Sequence, residues 1–197
     1  INLTDEKNTL VLNGAGYSKK FFIKVYIGAL YLAQPATQAR AILDAGTPRV
    51  MRMHFLRNVG QDMFATAWNE GIGPNHTATE MQTLRARIDR LSAMVGNIRH
   101  GDVIRLEMRP HGGTEVWVND QLRGTLHGTD FQNALLTAWI GASPGSAGKR
   151  AYSPISSARS VASSLPRIHS KRPSSARSSA MRPASCRWWV SQRQRYG

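Results

Sequence analysis

Every apolar rhythm in this 197-residue chain stops at Gly141. Residues 142–197 hold 15 Ser, 11 Lys or Arg, five Pro and no Asp or Glu. No period of two or of 3.6 runs through them that could line a core. The expectation is one domain over residues 1–141, followed by a disordered, basic, Ser/Arg/Pro-rich tail over 142–197. The absence of acids over 56 residues also raises the hypothesis of a shifted reading frame there, which re-sequencing the codons for Ala142 to Gly197 tests. The first 141 residues suffice to bury about two-thirds of their surface without a metal or disulfide.

The formal charge of +14 would ordinarily point to a nucleic-acid or anionic-membrane partner. Most of it lies in the tail, since residues 1–141 set 15 Lys/Arg against all 12 Asp/Glu, a net of +3. The lone Cys186 excludes an internal disulfide and a thiolate metal site. The longest apolar run, Phe21 to Leu32, is broken by Lys24 and falls short of the ~20 residues a membrane span needs. No transmembrane segment is expected. No Met or charged leader precedes Ile1, which fits a processed, exported protein or a fragment.

Within the domain the pattern alternates. Thr9 to Leu12 reads as a strand closed by a glycine turn, Asn13-Gly14-Ala15-Gly16. From Lys20 to Gly28 a period of two puts Phe21, Ile23, Val25 and Ile27 on a core face and Phe22, Lys24 and Tyr26 on the other. A helix is expected over Thr37–Ala45 with Thr37 as N-cap, then a strand over Pro48–Arg57 with Val50, Arg52 and His54 opposite Met51, Met53 and Phe55. Met63, Phe64, Ala67, Trp68 and Ile72 mark a helix over 60–72, and Thr77-Ala78-Thr79-Glu80 has the capping-box spacing ahead of a helix of about 18 residues. Three strands, 103–109, 114–118 and 122–126, turn at His111-Gly112-Gly113 and Asn119-Asp120, and a last helix capped by Thr129 ends at Gly141. The order ββαβααβββα describes an α+β fold, an antiparallel sheet with helices packed on it.

Candidate sites are few. Gly14-Ala15-Gly16 would open a strand rather than a helix, so it lacks the amide-lined N-terminus of a phosphate loop. Gly141 to Gly145 matches a nucleophile elbow only in letters, because it follows a helix. The six histidines show no metal-ligand spacing. Neither a cofactor nor a metal is expected. The tail cations, with Trp188 and Trp189, could coat phosphates and stack on bases, but evenly scattered charge without a fold gives no specific nucleic-acid site. There remains the polar side of the second strand, where Lys24 and Tyr26 lie near the basic strand residues Arg52 and Arg57. A cleft there could hold an acid.

Four segments, LVLNGAGYSKKFFIKVYIGALYL at 10–32, VMRMHFLRNV at 50–59, GDVIRLEM at 101–108 and VNDQLRGTLHGTDFQNALLTAWIG at 118–141, together resemble the chalcone isomerase-like family in its short bacterial branch. The resemblance covers residues 8–141 and implies that family's fold, an open-faced β-sandwich with helices on one face. It also implies export to the periplasm. Plant isomerases of the family hold their substrate with an Arg after the glycine turn, a strand Thr, a Tyr and an Asn on one helix, and a Ser or Thr on a late helix. This chain has Tyr17-Ser18-Lys19-Lys20 after the glycines, and the strand Thr falls on Tyr26. The helix Asn matches Asn69 while the Tyr falls on Asp62, and the late position falls on Ala138 beside Thr137.

Without those donors a phenolate is poorly oriented for attack on an enone. The expectation is therefore a non-catalytic, monomeric protein that binds a small apolar acid or lipid, as fatty-acid-binding members of the wider family do. Lys24, Tyr26 and Arg52 would meet the acid, and Phe64 and Trp68 would line the apolar part. The alternative is an intramolecular lyase acting on a chalcone-like enone through Tyr26, Asn69 and Thr137. A further alternative is nucleic-acid binding through the tail.

Overall fold

Among the described residues, strands pair only with their neighbours in sequence. A computed structural model describes residues 2–4, 9–20 and 22–143. Its single antiparallel sheet runs β1 (Asn2–Thr4), β2 (Thr9–Lys20), β3 (Ile23–Leu32), β4 (Arg49–Phe55), β5 (Val103–Arg109), β6 (Gly113–Val118) and β7 (Gln121–Leu126) in that spatial order. Helices α1 (Ala39–Leu43), α2 (Gln61–Ile72), α3 (Ala78–Val95) and α4 (Thr129–Ile140) all give side chains to one core with the strands. The α+β fold with helices on one face is thus as expected, with one more edge strand, β1.

The alternation of β4 decides which face is covered. Met51, Met53 and Phe55 enter the helix-side core, as do Leu30 and Leu32 of β3, Ile104, Leu106 and Met108 of β5, and Val116 and Val118 of β6. Helix α3 begins at the expected capping box: Thr77 Oγ1 accepts from the Glu80 N–H at 3.3 Å, and Glu80 Oε2 accepts from the Thr77 N–H at 2.7 Å. The β6–β7 turn sets Asn119 and Asp120 at φ 49° and 64°, the left-handed pair that a tight hairpin needs.

Five expectations are corrected. The segment Asn13 to Gly16 is not a turn but lies inside β2, with Gly14, Ala15 and Gly16 opposite Leu30, Ala29 and Gly28. Asn13 sits instead at a register shift, and its Oδ1 accepts from the Ala36 N–H at 2.8 Å. The hairpin turns later, between Lys20 and Ile23. Opposite Gly16, Gly28 serves close approach: a Cβ there would meet Trp139 Cη2 at 2.5 Å. Helix α1 is shorter than expected, with Gln38 rather than Thr37 at its N-cap and no side-chain cap. Thr129 does not cap α4, because Gly128, at φ 111°, takes that position. Met63 and Ala67 face solvent, and the buried stripe of α2 is Phe64, Trp68, Gly71 and Ile72.

Among the described residues no helix is long and apolar enough to cross a membrane. The expected tail falls outside the described residues from 144 onward.

Candidate functional site

The side chains proposed for binding divide between the two faces of the sheet. Ser18 pairs with Tyr26, yet the next pairing joins Lys19 to Lys24, so Val25 is an extra residue and β3 bulges there. The bulge reverses the alternation. Tyr26 points to the helix side and packs on the main core, whereas Lys24 goes with Tyr17 and holds its ammonium 4.2 Å from the Tyr17 ring centroid. The expectation that Lys24 and Tyr26 share a face is corrected on this ground.

Tyr26 is the polar point of an aromatic layer. Its ring lies 5.2 Å from Phe55 and 6.2 Å from Trp139; Phe55 is followed by Phe64 at 6.3 Å, and Phe64 by Trp68 at 6.1 Å, all centroid to centroid. The Ser18 and Trp139 side chains neighbour the Tyr26 hydroxyl. Burial pushes its pKa up to about 12, and these two contacts only partly counter it. At neutral pH the group is therefore a protonated donor set in an apolar wall.

Arg52 lies on the other face, since it alternates with Met51 and Met53 and pairs across the strands with Ala29 and Arg105. There it stands beside Tyr31, whose buried hydroxyl is raised above its ordinary pKa by desolvation and pulled back by the Arg52 charge. That hydroxyl has no partner in hydrogen-bond geometry among the described residues, so the contact is electrostatic. Further along the same face, Glu107 joins two cations: Arg105 Nε is 2.7 Å from Oε1, and Arg109 Nη2 is 3.1 Å from Oε2. Arg109 Nε also reaches Glu115 at 3.3 Å, and Arg105 lies over the Trp117 ring. Arg52 is thus a binding candidate separate from Tyr26, Phe64 and Trp68, which the structure does bring together.

Asn69 and Thr137 each commit a donor to their own helix. Asn69 Nδ2 donates to the Ala65 carbonyl at 2.9 Å, and Thr137 Oγ1 donates to the Ala134 carbonyl at 2.8 Å. His76 Nε2 stands 3.0 Å from Thr137 Oγ1. With the threonine proton given to its helix, the His76 tautomer protonated at Nε2 donates in this contact. Glu80, 3.8 Å from His76 Nδ1, is held by the capping box instead. No group of three potential metal ligands occurs among the described residues.

Sequence reasoning missed Ser18 and the polar role of Trp139. Placing the hairpin at the glycines put Ser18 in the wrong register, and Trp139 read only as core. It also missed Arg49, buried at 3 % exposure, which donates to the Ile42 and Leu43 carbonyls and to Gln132 Oε1. That residue ties α1 to α4, and its spacing two before Met51, in phase with Met53 and Phe55, was the signal that could have found it.

A sequence model described as chalcone isomerase-like matches residues 2–151. Among solved structures, a fatty-acid-binding protein of Arabidopsis thaliana is similar at 14 % identity and a TM-score of 0.52, covering 73 % of this chain and 91 % of that one. No curated protein matches.

Proposed function

The chain belongs to the chalcone isomerase-like family, and from that premise we propose that it is a non-catalytic binder of a small apolar acid or lipid of the fatty-acid type. The observation that carries this reading is the Tyr26 hydroxyl, protonated at neutral pH and set with Ser18 and the Trp139 indole at the end of an aromatic layer. An apolar ligand entering between β3 and α4 would displace the Trp139 ring from Gly28 and meet the Tyr26 hydroxyl beside it. Three donors around one point suit a carboxyl group, and Phe64 and Trp68 suit its chain. The similarity to a plant fatty-acid-binding protein supports the same reading. Enone cyclisation is not favoured, because the hydroxyl and amide of Thr137 and Asn69 are bound to their own helices. Export to the periplasm belongs to the same proposal, and cell fractionation tests it.

Native mass spectrometry of the full chain, followed by calorimetry over a series of fatty acids and phenylpropanoids, tests the binding. Tyr26→Phe should weaken binding about tenfold, the worth of one hydrogen bond to a charged group. No bound ligand by either method would end this reading. Chalcone disappearance faster than spontaneous cyclisation would replace it with the lyase.

A further inference from the structure

The β2–β3 hairpin ends in side chains that the fold does not use. Phe22 is 96 % exposed and Ile23 47 %, the two largest apolar residues at this end of the sheet to face solvent so fully. Lys19, Lys20 and Lys24 surround them. The whole stretch from Lys7 to Leu43 contains no Asp or Glu, so nothing on either strand neutralises those cations. The neighbouring loop adds Arg57, brought alongside by the Leu56 N–H donating to the Val25 carbonyl at 2.8 Å. The turn beyond it adds Arg99, while the carboxylate of Asp102 is held by the Arg99 N–H and by Asn119. An isolated exposed apolar residue needs no explanation, but an apolar tip flanked by three exposed or half-buried lysines has the chemistry of a surface that enters the interfacial layer of a bilayer.

We propose that the tip of the β2–β3 hairpin docks on an anionic lipid surface, with Phe22 and Ile23 entering the headgroup boundary and Lys19, Lys20 and Lys24 pairing with lipid phosphates. Charge complementarity selects this occupant over a protein partner, because the lysines and Arg57 bracket the apolar residues on several sides. The bulge at Val25 contributes by turning Lys24 to the Tyr17 side, so that cations leave the tip on both faces of the sheet. The inference does not depend on which ligand Tyr26 meets, although it would place the aromatic layer beside the membrane.

The test uses the full chain, in which Cys186→Ser allows a single cysteine to carry a polarity-sensitive dye. The dye is placed at position 22 (Phe22→Cys) or, as a control, on α1 (Arg40→Cys), where the side chain is 91 % exposed. Vesicles of phosphatidylcholine alone are compared with an equal mixture of phosphatidylcholine and phosphatidylglycerol. The dye at position 22 should shift to the blue and be quenched by acyl-chain spin labels on the mixed vesicles only, while the dye on α1 should not respond. Lys20→Glu with Lys24→Glu should weaken the vesicle affinity reported by that shift by more than tenfold, at roughly fivefold per charge. Vesicle binding without a response at position 22 would mean that the basic residues after Ser143 bind alone, and would overturn the proposal. So would equal responses on neutral vesicles, or undiminished affinity in the lysine variant.

Discussion

The two faces of β4 share one backbone and obey opposite rules. Toward the helices, Met51, Met53 and Phe55 join a continuous core of aliphatic and aromatic side chains. Toward the other side, Val50 belongs to a small cluster with Leu10, Ala15, Ala29 and Tyr31, while Arg52 and His54 lead into the Arg105–Glu107–Arg109 ion pairs. Stability on the first face comes from area removed from water. On the second it comes from pairing, since Glu107 is only 4 % exposed and a charge so deep is tolerable only with its partners. Error is therefore graded on the first face, where a lost methyl costs a little, and abrupt on the second.

The largest effect follows from removing the covered face's lid. A chain ended after Gly128 loses Phe131, Leu135 and Trp139, worth about 1.5–3 kcal/mol each against about 5–15 kcal/mol for a whole domain, and should show no cooperative unfolding by circular dichroism. Ending it after Ser143 should leave the melting temperature nearly unchanged. A large drop in that chain would show that the second face draws its cover from beyond Ser143, and the contrast between the faces would need revision.

Glu107→Gln probes pairing directly. It leaves two guanidinium groups short of their common carboxylate and should cost about 3 kcal/mol in urea unfolding, moderated by the remaining contacts of Arg105 with Asp120 and of Arg109 with Glu115. A loss below that of an ordinary surface substitution would mean the face is solvated after all.

Gly28→Ala tests the tightness of the covered face. The added methyl meets the Trp139 ring, so a loss of about 1–3 kcal/mol is expected from overpacking. Gly73→Ala, where nothing lies within 4 Å, serves as the neutral reference.

The smallest effect concerns pH. Because folding raises the Tyr26 pKa from 10.0 to about 12, the unfolded chain releases this proton first as pH rises. The contribution is fully present below pH 10 and is lost between there and about pH 12, at about 1.4 kcal/mol per unit. Tyr26→Phe should flatten that part of the stability curve; an unchanged slope would place the hydroxyl in water.

Much of the sheet could be read from alternation, and the helices from their apolar stripes, because burial imposes a period that the residues must follow. What escaped was anything that breaks a period. Glycines at 14 and 16 look like turn formers, yet they lie inside β2, and at Gly28, opposite Gly16, only the facing Trp139 reveals the need for a missing side chain. One extra residue at Val25 sends Lys24 to the other face, and neither propensity nor charge marks a bulge. Thus alternation put Lys24 and Tyr26 on one face near Arg52, whereas the bulge leaves Lys24 on the face of Arg52 and sets Tyr26 on the side of Phe64 and Trp68.

The neighbour-only pairing of the strands bears on how the molecule is made. The β2–β3, β5–β6 and β6–β7 hairpins can each close as soon as the second strand has emerged, whereas β4 meets β5 only after α2 and α3 have been made between them. The core cannot follow suit, because Gln132 must reach Arg49, Trp139 must reach Gly28 and Ala138 must reach Gly71, and all three lie on the last helix. A growing chain therefore carries a finished sheet whose apolar face is covered only in part, by α1, α2 and α3, until α4 arrives, and that interval is when it is most in need of a chaperone.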